Sequence, residues 1–313
     1  MNIQFWGVRG SIPTPASPSR VKSKISAIVE QITPEDLINS ESRERFLARL
    51  PTWLFGTVGG NSPCVSITFD DNPHECIVFD AGSGLREMGL VHSNESKIKQ
   101  YHFFFSHFHW DHIQGLPFFL PGYNPAKMLD FYSPVGGLES IISGQMKYPY
   151  FPVTLDVMAS KKTYHYMEKD FHICNCSVSM KKMNHPGDSY AYSVNEKGKR
   201  FIYATDVELT PSDFMKTDEN THFFQDADLI VVDSQYTLGE AIEKYNWGHS
   251  AFSLAVDFAA NWRIKHMVLF HHDPGYDDHK LYGILQSARW YLERMNIKGV
   301  QLTLAIEGLN ISI

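Results

Sequence analysis

The sequence FFFSHFHWDHIQG, residues 103–115, joins an unbroken aromatic run to three histidines and one aspartate. The apolar run is typical of a buried strand. If His107 and His109 continue the extended chain, their side chains point the same way, because strand residues two apart share a face. Asp111 and His112 lie one turn further on and can face a second point nearby. Since an ion needs several donors within about 2 Å, the stretch suggests two metal ions in one cleft.

Three later segments place further donors where strand-like apolar runs stop. They are MKKMNHPGDSY with His185, RFIYATDVE with Asp206, and HMVLFHHDP with His271 and His272. Strand ends carry loops that hold donors on a rigid scaffold. A single histidine at such a place is usually structural, but four strand ends with a suitable donor each are a rarer coincidence. We expect His271, which follows its strand directly, to be the last ligand, with His272 as the alternative.

Composition narrows the class of protein. Of the 313 residues, 43% are hydrophobic and 20% charged, as in a globular protein that does not span a membrane. The start, MNIQFWGVRGSIPTP, lacks a basic segment followed by an apolar one, so we expect a cytoplasmic protein without a membrane partner. The four cysteines show neither zinc-ribbon spacing nor disulfide density and should be buried thiols. A net charge of −7 makes a long nucleic acid an unexpected partner.

Hairpin-like strands come first along the chain, and strand–helix alternation dominates later. This order favours an α+β fold in which two sheets pack on each other and helices cover them, formed by residues 1–313 as one domain.

Residues 20–56 resemble a helical insertion in this pattern. Two helices are predicted there, from Ile25, Ile28, Val29 and Ile32 at helical spacing, and from a Thr33 cap and Pro34 through Phe46, Leu47 and Leu50 to a stop at Pro51. The segment is interpreted as a hairpin on the domain edge, with a lid or a dimer arm as alternatives.

The motif SHFHWDH matches the His-x-His-x-Asp-His signature of the metallo-β-lactamase superfamily, and His185, Asp206 and His271 follow in that family's order. The resemblance implies a four-layer αββα sandwich with a dinuclear metal site at one edge. By the same resemblance, Asp80 in FDAGSG supports the ligand loop without binding metal. The ligand sets that it implies are His107, His109 and His185 for one ion, Asp111, His112 and His271 for the other, and Asp206 as the bridge. Trp110 is expected to pack between ligands.

Two further residues point to a branch of this superfamily. Asp206 stands where the antibiotic-hydrolysing lactamases would have cysteine, and a bridging carboxylate suits phosphoryl chemistry at a pair of cations. NWGHSAFSL resembles the Gly-His-Ser segment of the phosphodiesterase branch that includes the tRNA 3′-processing endonuclease. In that branch the histidine, here His249, helps the leaving group depart. His249 and Asp111 are therefore the predicted catalytic residues. The alternative is that Ser250 or a neighbour caps a helix and His249 is idle.

The tRNA enzyme carries an arm between the third histidine and the bridging aspartate. Between His185 and Asp206 this chain has only a hairpin with NEKG at its turn, so a small phosphodiester is the expected substrate. FWGVRGSIPTP and GGNSPCVSI resemble bacterial hydrolases of this branch described as cyclic-nucleotide phosphodiesterase-like. Arg9 within the first of these either reaches a phosphate or packs on its own fold.

The expected protein is a metal-dependent phosphodiesterase acting on a small phosphodiester such as a cyclic nucleotide. It should hold two divalent ions, with zinc the first expectation and manganese or iron the alternatives. Hydrolysis of a thioester or lactone, tRNA 3′ processing and a non-catalytic metal-binding sensor are the alternative functions. A homodimer is an open expectation.

Overall fold

The computed structural model describes residues 1–93, 97–168 and 170–313. Within these residues the strands are Asn2–Gly7 (β1), Cys64–Phe69 (β2), Asn72–Phe79 (β3), Gln100–Phe104 (β4), Met128–Ser133 (β5), Lys161–Tyr166 (β6), Phe171–Ile173 (β7), Cys176–Met183 (β8), Ser189–Glu196 (β9), Lys199–Ala204 (β10), Leu229–Asp233 (β11), His266–Phe270 (β12), Gln301–Leu304 (β13) and Asn310–Ser312 (β14). The α-helices are Pro18–Val29 (α1), Ser40–Arg49 (α2), Thr52–Phe55 (α3), Gly84–Ser93 (α4), Leu138–Gln145 (α5), Asp218–Phe224 (α6), Leu238–Glu243 (α7), Phe252–Asn261 (α8) and Asp278–Arg294 (α9).

The strands form two mixed sheets. The first has the order β14-β1-β2-β3-β4-β5-β6 and the second the order β13-β12-β11-β10-β9-β8-β7. In the first sheet β3 to β6 are parallel, and in the second β10 to β13 are parallel, while the remaining pairs are antiparallel. Parallel strands end at a common edge, where the following loops can meet. The predicted α+β class and αββα architecture are confirmed.

The core lies between the two sheets and is rich in aromatic side chains. Phe79 of the first sheet stacks on Tyr203 of the second, with ring centroids 5.0 Å apart. In β4, Phe104 belongs to this inter-sheet core, whereas Phe103 and Phe105 belong to a second core beneath the outer helices. Successive side chains of the aromatic run therefore enter the two cores alternately, because side chains alternate between the two faces of an extended chain. Helices α4 and α5 cover the first sheet, and α8 and α9 the second.

The segment of residues 20–56 packs around its own small apolar cluster. Phe46, Leu50 and Leu54 are buried in it. The second predicted helix is wrong at its start, because Thr33 caps only one 3-10 turn and α2 begins anew after Asn39, whose side chain accepts from the Ser42 amide. Lys24 pairs with Asp278 at the start of α9, which ties the segment to the domain edge. Its role as a lid or dimer arm stays a prediction.

The structure bears on the cysteines and on the possibility of a membrane-spanning helix. All four cysteines are buried and free, as predicted. Among the described residues, no helix is both long enough and apolar enough to cross a lipid bilayer.

Candidate metal centre

The predicted ligands converge at one edge of the sandwich, where five strands end. The predicted ligands come shortly after four of these strands, and the supporting residue Asp80 follows the fifth. Asp80 follows β3, residues 107–112 follow β4, His185 follows β8, Asp206 follows β10 and His271 follows β12. We call His107, His109, Asp111, His112, His185, Asp206 and His271 the cleft cluster.

Two groups of donors are visible within the cleft cluster. The rings of His107, His109 and His185 lie with centroids 4.4 to 5.1 Å apart. In the other group, Asp111 Oδ2 is 3.2 Å from His112 Nε2 and 3.5 Å from His271 Nε2. In each group the donor atoms lie close enough together to hold one metal ion.

Asp206 lies between the two groups. Its Oδ1 faces His107 Nε2 at 3.7 Å and His185 Nε2 at 3.9 Å. Its Oδ2 faces His112 Nε2 and His271 Nε2, both at 3.2 Å. One oxygen of the Asp206 carboxylate therefore faces the first group of donors, and the other oxygen faces the second group. A bridging ligand needs this arrangement.

The outer ring nitrogens of four histidines are fixed by hydrogen bonds. These are His107 Nδ1 to Ser106 Oγ at 3.1 Å, His112 Nδ1 to Asp80 Oδ2 at 2.8 Å, His185 Nδ1 to Gly248 O at 2.9 Å and His271 Nδ1 to Gln235 Oε1 at 3.0 Å. Such outer partners orient histidine ligands towards a metal. Among the described residues, the inner Nε2 atoms of His107, His112 and His271 are buried without a hydrogen-bond partner. Buried polar atoms rarely stay unpaired, so these nitrogens fit metal coordination.

Asp80 supports the ligand loop from below. Its carboxylate accepts hydrogen bonds from the Ser106 amide and hydroxyl, both at 2.8 Å, and from the Tyr203 hydroxyl at 2.9 Å. The side chain is fully buried. Asp80 thus fixes the loop that carries His107 and the ring of His112. The sequence did not point to Tyr203, because β10 contains several apolar and aromatic residues and nothing local distinguishes this one. Its contact with Asp80 forms only when the two sheets pack together.

The backbone turns sharply at three of these strand ends. Asp80, Asp206 and His271 have φ values of 57°, 49° and 61°, in the left-handed region. Such conformations cost on the order of 1–3 kcal/mol where they are strained and concentrate at functional sites. At these turns the side chains of Asp206 and His271 face the cleft cluster, and that of Asp80 faces Ser106 in the loop that follows β4.

The carboxylates and imidazoles perturb each other's protonation. Burial opposes ionisation of Asp206, yet His112, His271 and His107 hold the pKa of its carboxyl well below the usual value. Burial also opposes protonation of His112, but Asp206, Asp111 and Asp80 raise the pKa of its ring well above the usual value. The cluster therefore combines buried anionic oxygen with imidazole nitrogen, the donor types that zinc, manganese and iron accept.

His249 lies beside the cleft cluster, with its ring centroid 5.0 Å from that of His271 and 5.4 Å from that of His185. Its Nδ1 is 2.6 Å from Asp233 Oδ2. Burial lowers the pKa of His249, but the Asp233 carboxylate outweighs it and raises the pKa to about 8. Helix α8 begins after Ala251, and the Ser250 hydroxyl donates to Val207 O at 2.6 Å, so Ser250 does not cap the helix.

Sequence reasoning also missed Asp233. It ends the strand-like run DLIVVDS, and a carboxylate at a strand end was the signal that pointed to Asp206. A second unpredicted contact comes from the Ser11 amide, which donates to Asp111 Oδ2 at 2.8 Å.

Trp110, Arg9 and His272 lie near the cleft cluster but do not contribute donors to it. Trp110 was expected to pack between ligands, which is wrong, because 83% of it is exposed. Arg9 packs on its own fold, where it donates to Gly59 O and Tyr276 O, both at 2.9 Å. His272 turns away from the cluster, and its Nε2 lies 2.8 Å from Ala305 O. The structure therefore places His271 in the cluster and His272 outside it.

The cluster opens into a cleft of about 480 Å³, whose wall includes Trp110 and Phe108. His249 lines this cleft and also a neighbouring apolar cavity of about 670 Å³, which includes Ile242, Tyr245 and Trp290. His249 thus separates a polar cleft from an apolar one.

The family model described as "Beta-lactamase superfamily domain" matches residues 76–272, more than half of the chain. Curated relatives named Ribonuclease Z include those of Oceanobacillus iheyensis, 23% identical over 73% of this chain and 89% of that protein, and of Pyrococcus furiosus, 23% identical over 69% and 82%.

Solved structures show the same fold. The metallo-β-lactamase fold protein YhfI from Bacillus subtilis is 13% identical and superposes with a TM-score of 0.65, covering 99% of this chain and 98% of its own. The short form of human tRNase Z is 19% identical, with a TM-score of 0.63 and coverage of 100% and 99%. A diphosphatase of the PhnP family is 16% identical, with a TM-score of 0.59 and coverage of 100% and 97%.

The matched family, the convergent donors and the fold of the solved structures all point to the same class of protein. The His and Asp groups are consistent with a dinuclear metal site, although they do not identify the metal. The chain is a metal-dependent hydrolase that belongs to the metallo-β-lactamase superfamily, and it is similar to the relatives named Ribonuclease Z and to the tRNase Z and PhnP-family structures.

Proposed function

We propose that this protein is a dinuclear phosphodiesterase that hydrolyses a small phosphodiester such as a cyclic nucleotide. The observation that carries the proposal is the position of Asp206, whose two oxygens face two separate histidine groups. A carboxylate shared in this way would suit a pair of cations, which supply the charge stabilisation that in-line phosphoryl displacement needs.

The residues that would hold the ions are those of the cleft cluster. His107, His109 and His185 would hold one ion, and Asp111, His112 and His271 the other, with Asp206 between them. When bound, a pair of divalent ions supplies Lewis-acid stabilisation of the phosphoryl group and an activated water nucleophile. Zinc is the ion that we propose first, with manganese and iron as alternatives.

His249 is proposed to protonate the leaving oxygen. Asp233 holds Nδ1 of the ring at 2.6 Å, which leaves Nε2 to carry the transferred proton. The Asp233 carboxylate raises the pKa of His249 to about 8 and so favours the protonated ring, and a general acid of this kind contributes about 10²–10⁴-fold to the rate. Asp233 acts through His249 and is a positioning residue.

Two features support a small substrate. The chain between His185 and Asp206 forms a hairpin in which β9 and β10 are joined by Lys197 and Gly198 alone. This short turn leaves no room for a substrate-gripping arm. In addition, the apolar cavity beside His249 adjoins the polar cleft, so an apolar or aromatic part of a phosphodiester could lie in one while the phosphate lies in the other.

Processing of tRNA 3′ ends is the second candidate. It is favoured by the relatives named Ribonuclease Z, which match at 23–28% identity. The two candidates use the same chemistry and differ in the surface that grips the substrate.

A substrate panel tests the proposal. The protein, loaded with Zn²⁺ or Mn²⁺, is assayed on bis(4-nitrophenyl) phosphate, cyclic mononucleotides, cyclic dinucleotides, an acyl thioester, a lactone and a precursor tRNA with a 3′ extension. We expect the highest kcat/KM on a small phosphodiester. A preference for the thioester or lactone would overturn the proposal, and a preference for the precursor tRNA would assign the second candidate. Stoichiometric metal without turnover of any substrate would identify a metal-binding sensor.

The variant His249→Ala tests the proposed acid. Its kcat should fall by about 10²–10⁴-fold on an alkyl ester, whose leaving oxygen needs a proton. The loss should be much smaller on bis(4-nitrophenyl) phosphate, because nitrophenolate leaves without protonation. Metal content should be unchanged, and loss of one ion instead would make His249 a ligand. His172→Ala, which changes an exposed histidine in β7, is the control.

A further inference from the structure

A second group of metal-ligating side chains lies at the other end of the sandwich. Glu75 in β3 and His102 in β4 belong to the first sheet, while Cys174 lies in the turn between β7 and β8 of the second. We call these three residues the far cluster. His102 precedes His107 by five residues, which separates the two clusters by roughly 16 Å along an extended chain.

The three donor atoms of the far cluster are close together. Glu75 Oε2 is 3.1 Å from His102 Nε2 and 3.1 Å from Cys174 Sγ. All three donor atoms lie within 4.8 Å of one another. His102 and Cys174 are buried, whereas 30% of the Glu75 side chain is exposed, so an ion could enter from solvent on the Glu75 side.

The donor types and spacings suit zinc. Thiolate, imidazole and carboxylate are its usual protein ligands, at about 2.3, 2.0 and 2.0 Å. A tetrahedral ion with these bond lengths places nitrogen and oxygen about 3.3 Å apart, and sulfur and oxygen about 3.5 Å apart. The two separations of 3.1 Å need to widen by only a few tenths of an ångström.

The charge of the far cluster also favours a cation. Among the ion pairs of residues 1–93, 97–168 and 170–313, none joins Glu75 to a lysine or arginine. The Cys174 thiol donates to Glu75 Oε2 at 3.1 Å, so the cluster without an ion carries one negative charge, that of Glu75. A divalent cation that displaces the thiol proton would bind one carboxylate and one thiolate and leave the cluster neutral.

The second ring nitrogen of His102 has a partner that permits coordination. His102 Nδ1 is 3.2 Å from the Tyr132 hydroxyl. A hydroxyl can donate or accept, so Nδ1 can carry the proton when Nε2 binds an ion. Tyr132 is itself held in place, stacked on Phe104 at 4.6 Å. Tyr132 can therefore hold the His102 ring in place whether the proton is on Nδ1 or on Nε2.

We propose that Glu75, His102 and Cys174 form a second, separate metal site that takes a zinc-class divalent cation and joins the two sheets at the end opposite the cleft. Solvent fills the fourth position on the exposed side of Glu75. The site is structural, since a bound ion links β3 and β4 to the β7–β8 hairpin.

Cobalt(II) titration of the whole protein tests this site. Co²⁺ accepts the same donors as Zn²⁺, and coordination by a thiolate gives an intense sulfur-to-cobalt absorption in the near ultraviolet. The cleft cluster contains only His and Asp, so this absorption reports on the far cluster alone. We expect it in the wild-type protein, together with one equivalent of Co²⁺ beyond those bound in the cleft. Its absence at saturating Co²⁺ would overturn the proposal.

Matched variants identify the thiol. Cys174→Ser should lose the sulfur-to-cobalt absorption and the additional equivalent. Cys176→Ser, which removes a neighbouring buried thiol bonded to Ile173 O, should keep both. Absorption that persists in C174S would overturn the assignment. If C174S does not fold, Glu75→Gln keeps the thiol and should weaken Co²⁺ binding at this site at least about tenfold; unchanged affinity in E75Q would also overturn it.

Discussion

The two ends of the sandwich carry clusters of similar residue types that differ in their hydrogen bonding. In the cleft cluster, outer partners fix four imidazole rings, and the inner Nε2 atoms of His107, His112 and His271 are left without partners among the described residues. In the far cluster, Glu75 accepts from both His102 and Cys174, so its donor atoms satisfy each other.

The difference has an energetic meaning. Buried nitrogens without partners are costly, and an ion removes that cost, so the cleft cluster should bind its ions tightly. The far cluster must first give up two hydrogen bonds and a thiol proton. We therefore expect the ion in the far cluster to bind more weakly and to be the first that a chelator removes.

The largest effect is expected from His109→Ala. The variant removes a donor from the group that includes His107 and His185, so it should lose metal, and turnover of bis(4-nitrophenyl) phosphate should fall at least about a thousand-fold. Metal analysis and steady-state kinetics measure both. Full metal content in the variant would show that the ligand assignment is wrong. His172→Ala should behave like wild type.

Asp233→Asn should have the next largest effect. The amide cannot stabilise a protonated His249 as the carboxylate does at 2.6 Å, and kcat on an alkyl phosphodiester should fall about ten- to a hundred-fold. KM and metal content should change little. An equal loss on nitrophenyl and alkyl esters would argue against a role through His249.

Gly248→Ala tests how closely the chain packs on His185. Gly248 has a φ of 86°, and a Cβ atom there would lie 2.2 Å from His185 Nδ1, so the ring must move. We expect about ten-fold weaker binding of one ion, measured by competition with a chromophoric chelator. Gly239→Ala in α7 is the matched control, because a Cβ there has no atom of the described residues within 4 Å. Equal affinity in both variants would mean that His185 does not bind the ion.

Cys174→Ser should have the smallest effect on catalysis. The far cluster lies roughly 16 Å from the ligand loop, so kcat/KM on a phosphodiester should stay within about two-fold of wild type while the thermal shift produced by added Zn²⁺ becomes smaller. A large loss of activity would show that the two ends of the sandwich are coupled.

Much of the cleft could be predicted because its residues follow strands with strong patterns. FFFSHFHWDH, NHPGD, YATD and LFHHD each combine an apolar run with a donor at its end, and strand ends meet at a sheet edge. Asp233, which contacts His249, carries the same strand-end signal as Asp206 and was overlooked. Tyr203 has no such signal, because its partner Asp80 lies 123 residues away in the other sheet.

Side-chain periodicity and local turns, which are properties of short segments, indicated two packed sheets covered by helices, donors at the strand ends and the short hairpin between His185 and Asp206. The αββα architecture and the two ligand sets came from the resemblance of the sequence to the metallo-β-lactamase superfamily. Only the tertiary structure placed His271 in the cleft cluster and His272 outside it, and only the tertiary structure brought Glu75, His102 and Cys174 together. It also placed Arg9 inside the fold and Trp110 at the surface. The physical reason is that contacts between sheets depend on the register and twist of strands far apart in the chain, which no local pattern specifies.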